Sequence, residues 1–224
     1  MTGMKRTGVK LMDLLLTALK LKGLQPGTQR KCSLRSPLRR RVASVVVITA
    51  IAASAQVNAF DTATPPELAI GTLQAAFSPW DDIEGLITQS IAGARKQVLV
   101  QAYLLTSRPI ASALIAARQR GIDVRVLVDQ DQLKKNDPSR VAELVAADIP
   151  VWMETKYRSA HNKVVVIDAE SVDASLITGS FNFTWSAQHK NAENVLIVRH
   201  NPVLAQRYAL NWQRHWRDAT PYKP

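Results

Sequence analysis

The sequence predicts an α/β fold: a mixed, mostly parallel β-sheet flanked by helices on both faces. Three observations carry this. Apolar runs of buried-strand type recur as "QVLVQAYLL" (97–105), "DVRVLVD" (123–129) and "NVLIVR" (194–199). Stretches with helical apolar spacing alternate with them, which is the pattern of a sheet covered on both sides. A polar turn around 168–174 joins "HNKVVVI" to "SLIT" as a hairpin, so the sheet must be mixed.

The elements follow in order. "PELAIGTLQAAFSP" supplies a first strand ending near Phe77. Asp81 is the expected N-cap of the next helix, with Glu84 three residues on as a capping box. Ile83, Leu86, Ile87, Ile91 and Ala94 recur there at helical spacing. After the 97–105 strand, Ser107 can cap a helix that tolerates Pro109 in its first turn and stops at Gly121. The 123–129 strand leads to Asp137-Pro138, expected as N-cap and N1 of a helix running to about Ala147. "IPVWM" is a short strand. Asn201-Pro202 caps a final helix, "VLAQRYALNWQRHW". Trp212 and Trp216 lie four apart there, the spacing of a packing stripe.

The formal charge of +11 is concentrated at the N-terminus. Residues 1–59 hold eleven Lys and Arg against one acidic residue, Asp13, leaving eighteen basic and seventeen acidic residues beyond them. The high isoelectric point is therefore no argument for nucleic-acid binding by the body. Within 1–59, the basic Arg39, Arg40 and Arg41 precede an apolar stretch (42–55) and small-residue sites at Ala53-Ser54-Ala55 and Val57-Asn58-Ala59. Basic, apolar, small is the secretory signal pattern. The run is shorter than the roughly 20 residues of a membrane span. Cleavage is expected after Ala59, leaving 60–224 as a single catalytic domain, periplasmic or secreted, without stable membrane insertion. The first 38 residues exceed an ordinary basic region and fit a later translation start. Cys32, the lone cysteine, lies among them, so no disulfide framework is expected.

The chemistry concentrates in "AHNKVVVIDAESVDASLITGSFNFT", beginning at Ala160. Side chains two apart on a strand share a face, so His161 and Lys163 point together. An ammonium beside an imidazole repels a metal cation but suits a phosphate. Lysine supplies charge, and histidine a nucleophile or a proton. Gly179 lets backbone approach an anion, and Ser180 and Asn182 add donors. The strand-to-helix turn offers free N–H groups.

These residues resemble the His-x-Lys-x4-Asp…Gly-Ser-x-Asn signature of the phospholipase D superfamily, the HKD motif, present once per chain. "AAFSPWDD", "VLVQAYLLTS", "GIDVRVLVDQ", "NAENVLIV" and the Trp-rich last helix are similar to small bacterial Nuc-type endonucleases, over nearly all of 68–217. The resemblance implies the phospholipase D/nuclease fold and a metal-independent double displacement. One His attacks phosphorus to give a phosphohistidine, and a second protonates the leaving oxygen and then activates water. Neither cofactor nor metal is expected, in keeping with the lack of clustered ligands. The resemblance places Glu193 as the acid that orients the histidine. Asp168 completes the motif, but its opposite parity on the strand suggests a structural ion-pair partner. Ten residues separate Asp168 from Gly179, more than the family pattern has. The extra length falls in "AESVDAS", with Asp173 as the other occupant of the Asp position.

Two histidines are needed, and only His161 has the motif. His189, His200 and His215 lack its surroundings. The second is expected from another copy of the chain across a two-fold axis, giving one site per homodimer. The leading expectation is an exported, nonspecific endonuclease acting on DNA, with RNA as an alternative nucleic-acid substrate. A phospholipase D acting on lipid head groups and a non-catalytic nucleic-acid-binding component are the rivals. Arg118, Arg120, Arg125, Lys134 and Lys135 are either a basic rim or a solvated surface. Trp80, Trp185, Trp212 and Trp216 are read as packing residues, with base stacking the alternative.

Overall fold

The computed structural model describes residues 66–223. The leader, its cleavage site and Cys32 lie outside the described residues. Eight strands and six helices follow one another as β1 (Thr72–Ser78), α1 (Ile83–Ala92), β2 (Gln97–Ala102), α2 (Arg108–Gln119), β3 (Asp123–Asp129), α3 (Gln130–Lys135), α4 (Ser139–Ala146), β4 (Val151–Glu154), β5 (Lys163–Ile167), β6 (Ser175–Gly179), α5 (Trp185–His189), β7 (Glu193–Arg199), α6 (Pro202–Arg217) and β8 (Thr220–Pro221). They form one sheet in the order β1-β7-β6-β5-β2-β3-β4-β8.

The sheet is mixed and covered by helices on both faces, but it is mostly antiparallel. Only β2–β3 and β3–β4 pair parallel. The pairs β1–β7, β2–β5, β5–β6, β6–β7 and β4–β8 are antiparallel. Short connections account for the reversals around β5. A parallel return needs a crossover of about a dozen residues or more. The link 155–162 re-enters the sheet at the edge where β4 ends, and the turn 168–174 reverses β5 into β6.

Alternation along the strands sorts the core into two layers. Val98, Val100, Val124, Val126, Val165 and Ile177 face α1, α2 and α4. Leu99, Leu127, Val164, Val166 and Leu176 face α6. On α1, Ile83, Ile87 and Ile91 recur every four residues and are fully buried. Each contributes roughly 1.5–3 kcal/mol by leaving water. On α6, Trp212 is buried and donates its indole N–H to the Val100 carbonyl at 2.9 Å. Trp152 packs edge-on against both Trp212 and Trp216, so the expected packing stripe is present.

The caps largely follow the sequence. Ser107 accepts from the Ile110 N–H and Asn201 from the Leu204 N–H. At α1 the cap is Asp82, one residue later than expected, accepting from the Gly85 N–H. Asp81 instead accepts from the Phe77 N–H and closes the turn. Glu84 makes no capping box; its carboxylate takes the Ser107 hydroxyl. At α4 the cap position falls on Pro138, with Asp137 accepting from the Ser139 N–H.

Candidate active site

β2, β3 and β4 end at one edge of the sheet, where β5 and β7 begin and β6 ends. His161 lies two residues before β5 and is exposed. Its neighbour Asn162 still continues the β2–β5 pairing by accepting from the Tyr103 N–H. Lys163 opens β5 and is only 5% exposed. Its ammonium lies 3.0 Å from His161 Nδ1, 2.9 Å from the His161 carbonyl oxygen and 4.5 Å from the Tyr103 ring centre. The Tyr103 ring also packs against the imidazole, 4.2 Å between centres. Burial pushes the Lys163 pKa down from 10.5 to about 8, while the charges of Glu193 and Asp129 resist the fall.

Ser180 and Glu193 meet on the neighbouring strands. The serine hydroxyl donates to Glu193 Oε2 at 2.6 Å, and Asn191 Nδ2 donates to Oε1 at 2.9 Å. Glu193 is thus engaged by Ser180 and Asn191, and its expected bond to His161 is not made within one chain. Asn182 is half-buried, and its Oδ1 has no hydrogen-bond partner. An exposed imidazole and a desolvated ammonium on one edge can take up a phosphoryl group.

Gly179 is required by protein packing: a Cβ there would strike the Asn194 carbonyl oxygen and Val195 Cα of β7. One expectation is corrected. Asp168 lies beyond the other end of β5, away from His161, and its partners are backbone groups rather than a cation. Its Oδ1 accepts from the Lys96 and Gln97 N–H at 2.7 and 2.8 Å, and its Oδ2 from the Arg95 N–H at 2.8 Å. Asp173 holds Arg95 and His200 at that same far end. The long 168–174 turn is ordered by Ser171 N–H to the Asp168 carbonyl and Ala174 N–H to the Ser171 carbonyl.

The expected basic rim divides. Arg120 binds the carbonyls of Ile91 and Ala92, and Arg125 pairs with Asp123, both away from the site. Arg118 sits in the last turn of α2, at that far side. Lys134 and Lys135 remain at the site edge, on α3.

Three contributions escaped the sequence reading. Tyr103 backs His161 and Lys163, and its position straight after β2 was the available signal. Asp129 is buried, caps α3, and accepts from the Ala160 N–H at 2.7 Å, fixing the residue before His161. Glu154, buried beside Asp129, hydrogen-bonds His215 of α6. Among the described residues, no three His, Cys, Asp or Glu side chains converge as metal ligands, and no helix is long and apolar enough to cross a membrane.

A sheet edge with this arrangement defines a class of protein that works on phosphodiesters. A family model described as "Cardiolipin synthase, PLD-like domain" matches residues 87–216. Phospholipase D of Rickettsia prowazekii (strain Madrid E) is 39% identical over 159 residues, covering 71% of this chain and 73% of that protein. Mitochondrial cardiolipin hydrolase of Mus musculus is 28% identical, covering 61% of this chain and 59% of that protein. Among solved structures, Nuc from Salmonella typhimurium, a phospholipase D family member, matches with a TM-score of 0.63 at 28% identity, over 69% of this chain and 100% of that chain. The chain belongs to the phospholipase D superfamily and is a phosphodiesterase of that superfamily.

Proposed function

We propose that the protein is an exported endonuclease that cleaves DNA without a metal, through a phosphohistidine at His161. The imidazole attacks phosphorus, the new N–P bond replaces the P–O bond to the leaving sugar oxygen, and a second imidazole gives that oxygen its proton. Water, losing a proton to the second imidazole, then displaces the first. Lys163, with Ser180 and Asn182, bears the phosphoryl oxygens. The basic-apolar-small pattern of residues 39–59 supports export to the periplasm or the medium.

The second imidazole comes from a second copy of the chain. Two features favour this. A nucleophilic Nε2 needs an acceptor on Nδ1, yet within one chain Nδ1 faces Lys163 while Glu193 is engaged elsewhere. An acceptor for that nitrogen then has to come from outside the chain. Phe77, Leu73 and Leu196 are also exposed on β1 and β7, on the layer left uncovered beside α6, an apolar face fit for burial between copies.

The observation that carries the nuclease reading is the charge of the rim. Lys134, Lys135, Arg214 and Arg217 are exposed on α3 and α6, and Arg158 and Lys190 on the links before β5 and β7, all toward the site edge. A polyanionic backbone is what such a rim attracts. The second reading, a phospholipase D, is favoured by the name of the Rickettsia relatives. Incubation with plasmid DNA and with phosphatidylcholine vesicles, each in EDTA, separates the two. Nicked plasmid with intact lipid is the expected result. Phosphatidic acid release with intact plasmid supports the phospholipase, and cleavage that needs a divalent cation contradicts the mechanism.

A further inference from the structure

Two indoles stand bare on the rim of the site. Trp80 is 81% exposed and Trp185 is 57% exposed, against the packing role the sequence suggests for them. Trp80 lies in the link between β1 and α1, and Trp185 is the first residue of α5. The two segments are stitched together. The Gln188 amide donates to the Asp81 carbonyl at 2.9 Å and accepts from the Glu84 N–H at 3.0 Å, and it is buried. The Ser78 hydroxyl donates to the Asn191 carbonyl and accepts from the Glu193 N–H. The indoles therefore ride on a fixed frame that ends at Glu193.

Trp185 is also electrostatically dressed. The His189 ring lies 4.8 Å from its indole at 39°, and Lys190 Nζ is 5.8 Å from its ring centre. The Lys190 ammonium beside the indole suits a ligand that is aromatic and anionic at once. A bilayer is the poorer occupant. Apart from Trp185, the exposed residues of α5 and its C-terminus are Ser186, His189, Lys190 and Asn191, all polar. The exposed aliphatic side chains lie elsewhere: Leu68 and Ile70 before β1, Leu73 on β1, Val172 in the 168–174 turn, Leu196 on β7, and Val203 and Leu210 on α6.

We propose that Trp185, with Trp80 on the segment stitched to it, is a base-stacking platform that takes single-stranded nucleic acid. In a duplex both faces of each base are covered by neighbours; only an unpaired strand has faces to lay on an indole. The stacked base holds the strand while its phosphate reaches His161 and Lys163. This rests on the endonuclease reading and adds a strand preference to it.

The test compares wild-type full-length protein with Trp185→Ala and Trp185→Phe. Binding is measured by fluorescence anisotropy of a labelled oligothymidylate, an abasic oligomer of equal length and a duplex, in EDTA, with His161→Ala added to each of the three to prevent cutting, so that wild type means Trp185 intact in this arm. Trp185→Ala is expected to weaken oligothymidylate binding about ten-fold, bringing it near the abasic oligomer. Trp185→Phe restores most of the loss. Because Trp185 is exposed, thermal melting is expected to match in all three. Equal binding of oligothymidylate by wild type and Trp185→Ala overturns the platform. So does a loss confined to phosphatidylcholine vesicle binding, or a shift from dimer to monomer on sedimentation. Failure of the endonuclease reading shows separately, as wild-type protein that leaves both plasmid and oligothymidylate uncut.

Discussion

The two ends of β5 carry the two halves of one sequence motif, and they are built on opposite terms. At the Asp168 end the carboxylate is buried and accepts three backbone N–H groups, tying the α1–β2 link to the sheet. At the His161 end the imidazole is exposed and the Lys163 ammonium beside it is desolvated. A carboxylate saturated by backbone donors stabilises the fold; an exposed imidazole beside a desolvated cation is open to an anionic ligand. Fixed spacing in a motif therefore does not imply a shared site. Here the spacing measures the length of a strand with chemistry at one end and a clamp at the other.

The largest expected effect separates the ends outright. His161→Ala should abolish phosphodiester cleavage while leaving the melting temperature near wild type, read by a cleavage assay beside calorimetry. Asp168→Ala should do the reverse. Three N–H groups lose their acceptor, costing about 3 kcal/mol or more, while cleavage per folded molecule survives. Asp168→Asn keeps one acceptor and tolerates the φ of +51° at this position, so its loss should be smaller. Cleavage lost from folded Asp168→Asn would mean that the two ends share one function after all.

A pH profile sharpens the contrast. Lys163 releases its proton near pH 8 in the folded chain, against 10.5 ordinarily. Between those values the unfolded chain holds a proton that the folded chain lacks. Unfolding then takes up a proton, so this group makes stability rise with pH in that window. Cleavage should instead fall as pH passes about 8, since the phosphoryl group loses its cation. Lys163→Arg should remove that alkaline fall, because a guanidinium stays charged. An unchanged alkaline limb in that variant would assign the fall to another group. The smallest effect belongs to the solvent-exposed Arg95–Asp173 pair at the clamp end. Arg95→Ala should change stability by less than about 0.5 kcal/mol by urea titration, since the clamp uses the Arg95 N–H and not its side chain.

Much of the fold was legible because local patterns decided it. β3 falls on residues 123–129 as read, and Ser107 and Asn201 cap their helices. Strand direction was not legible, because it depends on which edge each link returns to. The short helices α3 and α5 span six and five residues, too few for apolar periodicity to show. At the site, His161, Lys163, Ser180, Asn182 and Glu193 do gather at one edge. Glu154 and His215 meet across 61 residues, which no local pattern can reveal. The tryptophans divide for a related reason: a helical stripe marks Trp212 and Trp216 as packing residues, whereas no periodicity bears on Trp80 or Trp185.

The proposed site needs His161 from two copies, and mixing tests that most directly. Wild-type and His161→Ala chains are unfolded together in equal amounts, refolded, and assayed for plasmid nicking in EDTA. Random pairing leaves about one quarter of the dimers with two intact imidazoles, so activity should fall to about one quarter of an all-wild-type sample. Activity at about one half, as independent sites would give, would contradict the shared site.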